Sequence, residues 1–173
     1  MAKVWNRAWN FATQRAGKQI AVLAVGLGLL VLPACSNPEI DAVRTYKGFL
    51  EKARTPLEDM NKVREDLYKS ENTDEILAKF KDKLLPALQA LTIQAEQQEA
   101  PGAPKLAEFH GTLKQTLQTY TKATERLVKD LQKKDGDARE RAISEWGEDD
   151  RKFGEQMDKL KDELSAYLDG LKK

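Results

Sequence analysis

The chain has 173 residues, 29 of them basic and 28 acidic, and a single cysteine. The first 34 residues hold Lys3, Arg7, Arg15 and Lys18 and no acid, so the 29 basic residues less these four leave 25 against 28 acids in the 139 residues that follow. A segment of formal charge −3 lacks the basic footprint of a nucleic-acid binder, which excludes a nucleic-acid partner, and its length suits one domain with one core.

The N-terminal segment has the three parts of an export leader. Residues 1–19 are basic, Ile20–Leu32 is an unbroken apolar run, and Leu32-Pro33-Ala34-Cys35 follows. Thirteen apolar residues span only ~20 Å as a helix, short of the ~30 Å hydrocarbon core, so the run fits a signal peptide rather than a permanent span. Gly26-Leu27-Gly28 lies inside this run, with no strand before it, and has no reading as a nucleotide loop.

Leu32-Pro33-Ala34-Cys35 resembles the lipobox of bacterial lipoproteins, with an aliphatic residue at −3, a small one at −1 and then the cysteine. Pro33 departs from the usual occupant of −2. The resemblance covers only the leader and the first mature residues. It implies that residues 1–34 are removed, that Cys35 is the lipid-attachment residue, and that 35–173 is the mature domain. Each buried methylene contributes ~0.8 kcal/mol, so two or three chains anchor a protein where one does not. Ser36 stands where Asp favours inner-membrane retention in Gram-negative sorting, so the resemblance implies the outer membrane. The expected location is the bacterial cell envelope.

Four apolar stripes with helical three-four spacing follow. The first is Ile40, Val43, Tyr46, Leu50, Ala53, Leu57, Met60 and Leu67. The second is Leu77, Phe80, Leu84, Leu88, Leu91 and Ala95. The third is Leu106, Phe109, Leu113, Leu117, Tyr120, Ala123, Leu127 and Leu131. The fourth is Ala142, Trp146, Phe153, Met157, Leu160, Leu164, Tyr167 and Leu171. The breaks are short: Ser70–Asp74, with Thr73 as expected N-cap, then Pro101-Gly102-Ala103-Pro104, then Lys134-Asp135-Gly136-Asp137. Short loops and the absence of period-two alternation predict an all-α fold, an antiparallel up-down-up-down four-helix bundle with helices of roughly 30 residues.

Two prolines fall inside these helices. Thr55-Pro56-Leu57-Glu58 reads as a capping box that divides or kinks the first helix, and Pro86 is expected to bend the second at nearly the same height. Gly147 and Gly154 lie seven residues apart on one face of the fourth helix. Each costs ~1 kcal/mol against Ala, which suggests close approach of another backbone.

Several chemistries lack their residues. A ferritin-like di-iron site needs Glu-x-x-His on two helices, but His110 is the single histidine and Ala107 occupies the place of the Glu. Cys35 alone cannot form a haem-attachment motif or a zinc site, and no Gly-x-Ser-x-Gly elbow occurs. His110, beside the third stripe, is expected to be half exposed. The expectation is therefore no metal, no cofactor and no catalytic residue. The chain reads as a lipid-anchored, non-enzymatic binding or scaffolding module, with the membrane and an envelope protein as partners. The alternatives are a binder of a small apolar ligand among Leu57, Met60, Leu84 and Leu88, and an enzyme built on converging carboxylates.

Overall fold

The computed structural model describes residues 38–70, 72–133 and 135–171. The leader, Cys35, Ser36 and the two C-terminal lysines lie outside the described residues. The described chain is all-α. Helix α1 is Pro38–Tyr68, and α2 covers 73–97 as three consecutive segments, Thr73–Lys79, Phe80–Leu84 and Leu85–Gln97. Helix α3 is Pro104–Leu131 and α4 is Gly136–Gly170. At 1.5 Å per residue, the 31 residues of α1 and the 35 of α4 span about 47 Å and 52 Å. Among the described residues, no helix is long and apolar enough to cross a membrane.

The stripes become a single core to which all four helices contribute. Met60, Leu67, Leu84, Leu88, Leu117 and Leu160 are fully shielded from solvent. The second stripe begins one residue earlier than expected: Ile76 is buried and Leu77 is only partly covered. Burial also takes in Phe49, Val128, Ile143 and Leu168. Tyr167 and Leu171, expected in the fourth stripe, pack at the margin of the core.

Cross-helix bonds reveal the local register. Between α2 and α3, Gln89 donates to Glu125 at 2.9 Å, the Thr92 and Thr121 hydroxyls meet at 2.9 Å, and Gln118 donates to Glu96 at 2.6 Å. Partners descend on α3 as they rise on α2, the register of helices running in opposite directions. The same order joins α3 to α4 through Lys105 with Tyr167, Tyr120 with Asp150 and Thr124 with Trp146. These two helices share the most extensive interface, whereas the backbones of α1 and α4 scarcely approach each other.

The helix starts use short polar side chains. Asn72, rather than Thr73, caps α2 by accepting from the Asp74 amide at 2.9 Å. Asp135 caps α4, accepting from the amides of Asp137 and Ala138. Each bond satisfies an amide that has no partner within the helix. Helix α3 has Pro104 in its first turn, where the missing N–H costs nothing, and no side-chain cap.

The two prolines are accommodated differently. Helix α1 runs undivided through Pro56, and no capping box forms there: Glu58 instead accepts from Arg54 Nε at 2.8 Å, one turn back. In α2 the chain widens into a π turn at Phe80–Leu84, where the Leu85 amide bonds to the Phe80 carbonyl. Pro86 follows at once. An α turn there would drive the ring into the carbonyl of residue 82, and the wider turn relieves that clash.

Gly147 and Gly154 correct a further expectation. A Cβ built at either would meet nothing within 4 Å, so no second backbone of the bundle approaches among the described residues. Both glycines carry the conformational cost without the packing gain. Gly147→Ala and Gly154→Ala should therefore each raise unfolding free energy by about 1 kcal/mol, additively, in urea denaturation. A loss of stability would mean that another chain occupies that face.

Candidate functional site

Besides the Thr92–Thr121 pair between α2 and α3, the polar side chains of the interior form two clusters, and neither was expected. The larger sits where stripes one and four skip a turn. Arg64 follows Met60 on α1, and Asp150 lies between Trp146 and Phe153 on α4. Both are buried, with side chains 4% and 1% exposed. Arg64 donates from Nε to Asp150 Oδ1 at 2.8 Å and from Nη2 to Oδ2 at 2.7 Å, a two-pronged pairing of guanidinium with carboxylate. Tyr120 of α3 donates its hydroxyl to Asp150 Oδ1. Asn61 accepts from Arg64 Nη1 at 3.3 Å.

Aromatic rings close this cluster. Tyr120 stacks on Phe153 at 4.1 Å, and the Arg64 guanidinium lies 5.9 Å from the centre of the Phe153 ring. Trp146 is core, as expected, and meets Phe80 edge-on at 4.7 Å, which sets the π turn of α2 against this level of the core. Its indole N–H donates to Thr124 at 3.1 Å, and the Thr124 hydroxyl donates to the Tyr120 carbonyl at 3.0 Å. These partners meet the hydrogen-bonding needs that make buried charge costly.

The second cluster contains His110, which is buried, 4% exposed, and not the half-exposed flank residue of the sequence expectation. Its Nδ1 lies 3.0 Å from the Tyr46 hydroxyl. Tyr46 and Phe49 lie edge-on to the ring at 5.5 and 5.6 Å, and Phe109 in turn meets Tyr46 edge-on at 6.0 Å. Burial pushes the Tyr46 hydroxyl well above the usual phenol range, so it keeps its proton. Burial also pushes His110 below its ordinary value of 6.5, against the opposing pull of the Gln98 and Ala95 carbonyls. The neutral ring shares one hydrogen bond with Tyr46 through Nδ1, and the ring tautomer sets which partner donates.

A third feature lies at the surface. The start of α3 and the end of α4 flank a half-open groove of about 540 Å³. Leu106, Phe109 and Leu164 form its apolar floor, and Lys105, Lys159, Glu108 and Glu163 are among its rim residues. The Tyr167 hydroxyl is shielded there and has no hydrogen-bond partner among the described residues. Lys105 Nζ lies 5.9 Å from the centre of the Tyr167 ring.

Of the residues singled out in the sequence, Cys35 lies outside the described residues. Leu57, Met60, Leu84 and Leu88, named for an apolar cavity, all belong to the continuous packed core. No cluster of three or more His, Cys, Asp or Glu able to hold a metal occurs among the described residues.

Two outcomes follow from the buried clusters. Asp150→Ala should destabilise the fold by about 3–5 kcal/mol, because it strands the Arg64 charge in the core, whereas the double replacement Arg64→Met with Asp150→Leu should cost far less or stabilise. Chemical denaturation of the three proteins checks this. For His110 the folded state disfavours the proton, so stability is full above pH 6.5 and falls as pH drops below it. The loss levels off beneath the depressed folded value. Because the chain has one histidine, His110→Gln should flatten the limb of a stability profile just below pH 6.5.

No family model, curated protein or solved structure matches this chain, so its chemistry is read from its own residues.

Proposed function

We propose that this chain is a lipid-anchored protein of a bacterial cell envelope, and that its helical domain is a non-enzymatic binding or scaffolding module. The observation that carries the proposal is Leu32-Pro33-Ala34-Cys35, placed where a basic leader and a thirteen-residue apolar run end and containing the single cysteine of the chain. A lone thiol in an exported protein is a liability unless it is modified, and thioether-linked lipid gives it a role.

The helical domain suits such a module. Its interior polar groups engage one another, Arg64 and Tyr120 with Asp150 and Tyr46 with His110, and hold helices together rather than converging on a cleft. Cys35 precedes α1 by three residues, which keeps the first turns of α1 near the bilayer. Ser36 directs the protein to the outer membrane. The turns at 70–74 and 133–137 are then the membrane-distal surface, open to an envelope protein partner.

Cys35→Ala should abolish labelling by radioactive palmitate and leave an uncleaved precursor in membranes. Equal labelling of mutant and wild type would overturn the proposal. For the partner, charge reversal in the two distal turns should reduce crosslinked capture several-fold more than changes around Pro101–Pro104.

A further inference from the structure

The groove between the start of α3 and the end of α4 shares only Phe109 with the buried clusters. It has three properties that together define a ligand. Its floor is apolar, made by Leu106, Phe109 and Leu164. Its rim is charge-balanced, with two ammonium groups, Lys105 and Lys159, and two carboxylates, Glu108 and Glu163; Lys159 and Glu163 form an exposed pair at 3.7 Å, a contact weak enough in water for a ligand's amine to replace. The Tyr167 hydroxyl is buried there without a partner, and such a group is rare in a folded protein unless a water or ligand completes it.

A balanced rim disfavours a purely anionic guest. Burial, with a smaller contribution from the charge of Glu39, raises the Tyr167 hydroxyl above the usual phenol range, so it stays protonated and can donate. The complementary guest has an apolar part, an acceptor anion and a separate cation. A quaternary ammonium is recognised by exposed aromatic faces, but Lys105 already covers the face of Tyr167. Carboxylates suit a primary ammonium, which donates hydrogen bonds to them.

From this arrangement we infer that the groove is a binding site for the headgroup of a zwitterionic phospholipid with a primary amine, the phosphoethanolamine type. The phosphate accepts from Tyr167 Oη and Lys105, the amine pairs with Glu163 and Glu108, and the glycerol and first methylenes lie on Leu106, Phe109 and Leu164. The volume of about 540 Å³ is within the range of small-ligand sites. The choice of a membrane lipid as occupant rests on the proposed anchoring. Lys105 with Tyr167, and Glu39 acting on Tyr167, set the groove at the end of the domain where α1 begins, beside the bilayer.

Native mass spectrometry tests the inference. Full-length protein is released from micelles doped with equal amounts of phosphatidylethanolamine and phosphatidylglycerol. The ethanolamine lipid should be retained at least five-fold more. Lys105→Gln, Glu163→Gln and Tyr167→Phe should each reduce that adduct several-fold. Lys105 and Glu163 are at the groove rim, so their variants should melt as wild type does and keep the test meaningful if Tyr167→Phe fails to fold. Full-length Cys35→Ala should retain the lipid as wild type does, since α3 and α4 alone line the groove. Loss of palmitate labelling and loss of headgroup binding are thereby read separately. Equal retention of the two lipids, no adduct, or adducts unchanged in the rim variants would overturn the inference.

Discussion

The pairing of Arg64 with Asp150 is the contact on which the arrangement of the four helices depends. Consecutive helices are joined by short turns and pack along their apolar stripes, but α1 and α4 have no turn between them and their backbones stay apart. A long side chain crosses that gap. Arg64 reaches from α1 to a carboxylate that Tyr120 also grips, so one buried group on α4 is bound from α1 and α3 together. Apolar contacts are tolerant of small slips, whereas a two-pronged guanidinium–carboxylate pair is satisfied in one geometry. The pair therefore selects one register for α1 from the several that a Leu-rich face would permit. Its contribution is to uniqueness rather than to net stability, since two charges lose their water on entering the core.

The second buried cluster complements the first at another height. Tyr46 and His110 join α1 to α3, so α1 is pinned near its start by a neutral hydrogen bond and near its end by an ionic one. Between them the contacts of α1 are apolar, through Ala53, Leu57 and Met60. Two polar points separated by eighteen residues fix both the position of the helix along its axis and its rotation. This division of labour, apolar area for cohesion and sparse polar groups for placement, leaves the surface to a rim of lysines and carboxylates. It also leaves one shielded hydroxyl, on Tyr167, outside the internal accounting.

Helix number, the sites of the turns and most of the buried apolar residues were legible in the sequence, because three-four spacing reports directly on which face is covered. The two buried charges were legible in principle and missed. Stripe one passes from Met60 to Leu67 and stripe four from Trp146 to Phe153, each leaving a core turn empty. The residues that fill those turns are opposite in sign. A paired gap of that kind is the sequence trace of a buried ion pair, but it emerges only when both stripes are laid side by side. His110 was misplaced because an imidazole beside an apolar stripe is equally at home on the flank, and the partner that brings it inside, Tyr46, is sixty-four residues away. The glycines misled for a different reason: a propensity cost does not show what surrounds the residue. Ile76 displaced Leu77 because 76, 80, 84 and 88 advance in steps of four, more than the 3.6 residues of an α turn, and only a widened turn keeps them in line. The proposed lipid anchor rests entirely on residues 20–35, outside the helical domain, and no property of the bundle bears on it.

The π turn before Pro86 also divides α2 into two hydrogen-bonded ladders of unequal security. The later one, Leu85–Gln97, is tied to α3 by Gln89, Thr92 and Glu96. The earlier one, Thr73–Lys79, is bonded mainly to the end of α1, through Lys79 to Ser70 and to the Asp66 carbonyl. A fluctuation that frees the first seven residues has no need to break the ladder beyond the proline. The hairpin tip can therefore open as its own cooperative unit while the rest of the core remains closed. If the tip is where a partner arrives, the energetic cost of adapting to it falls on about two turns of helix and not on the whole domain.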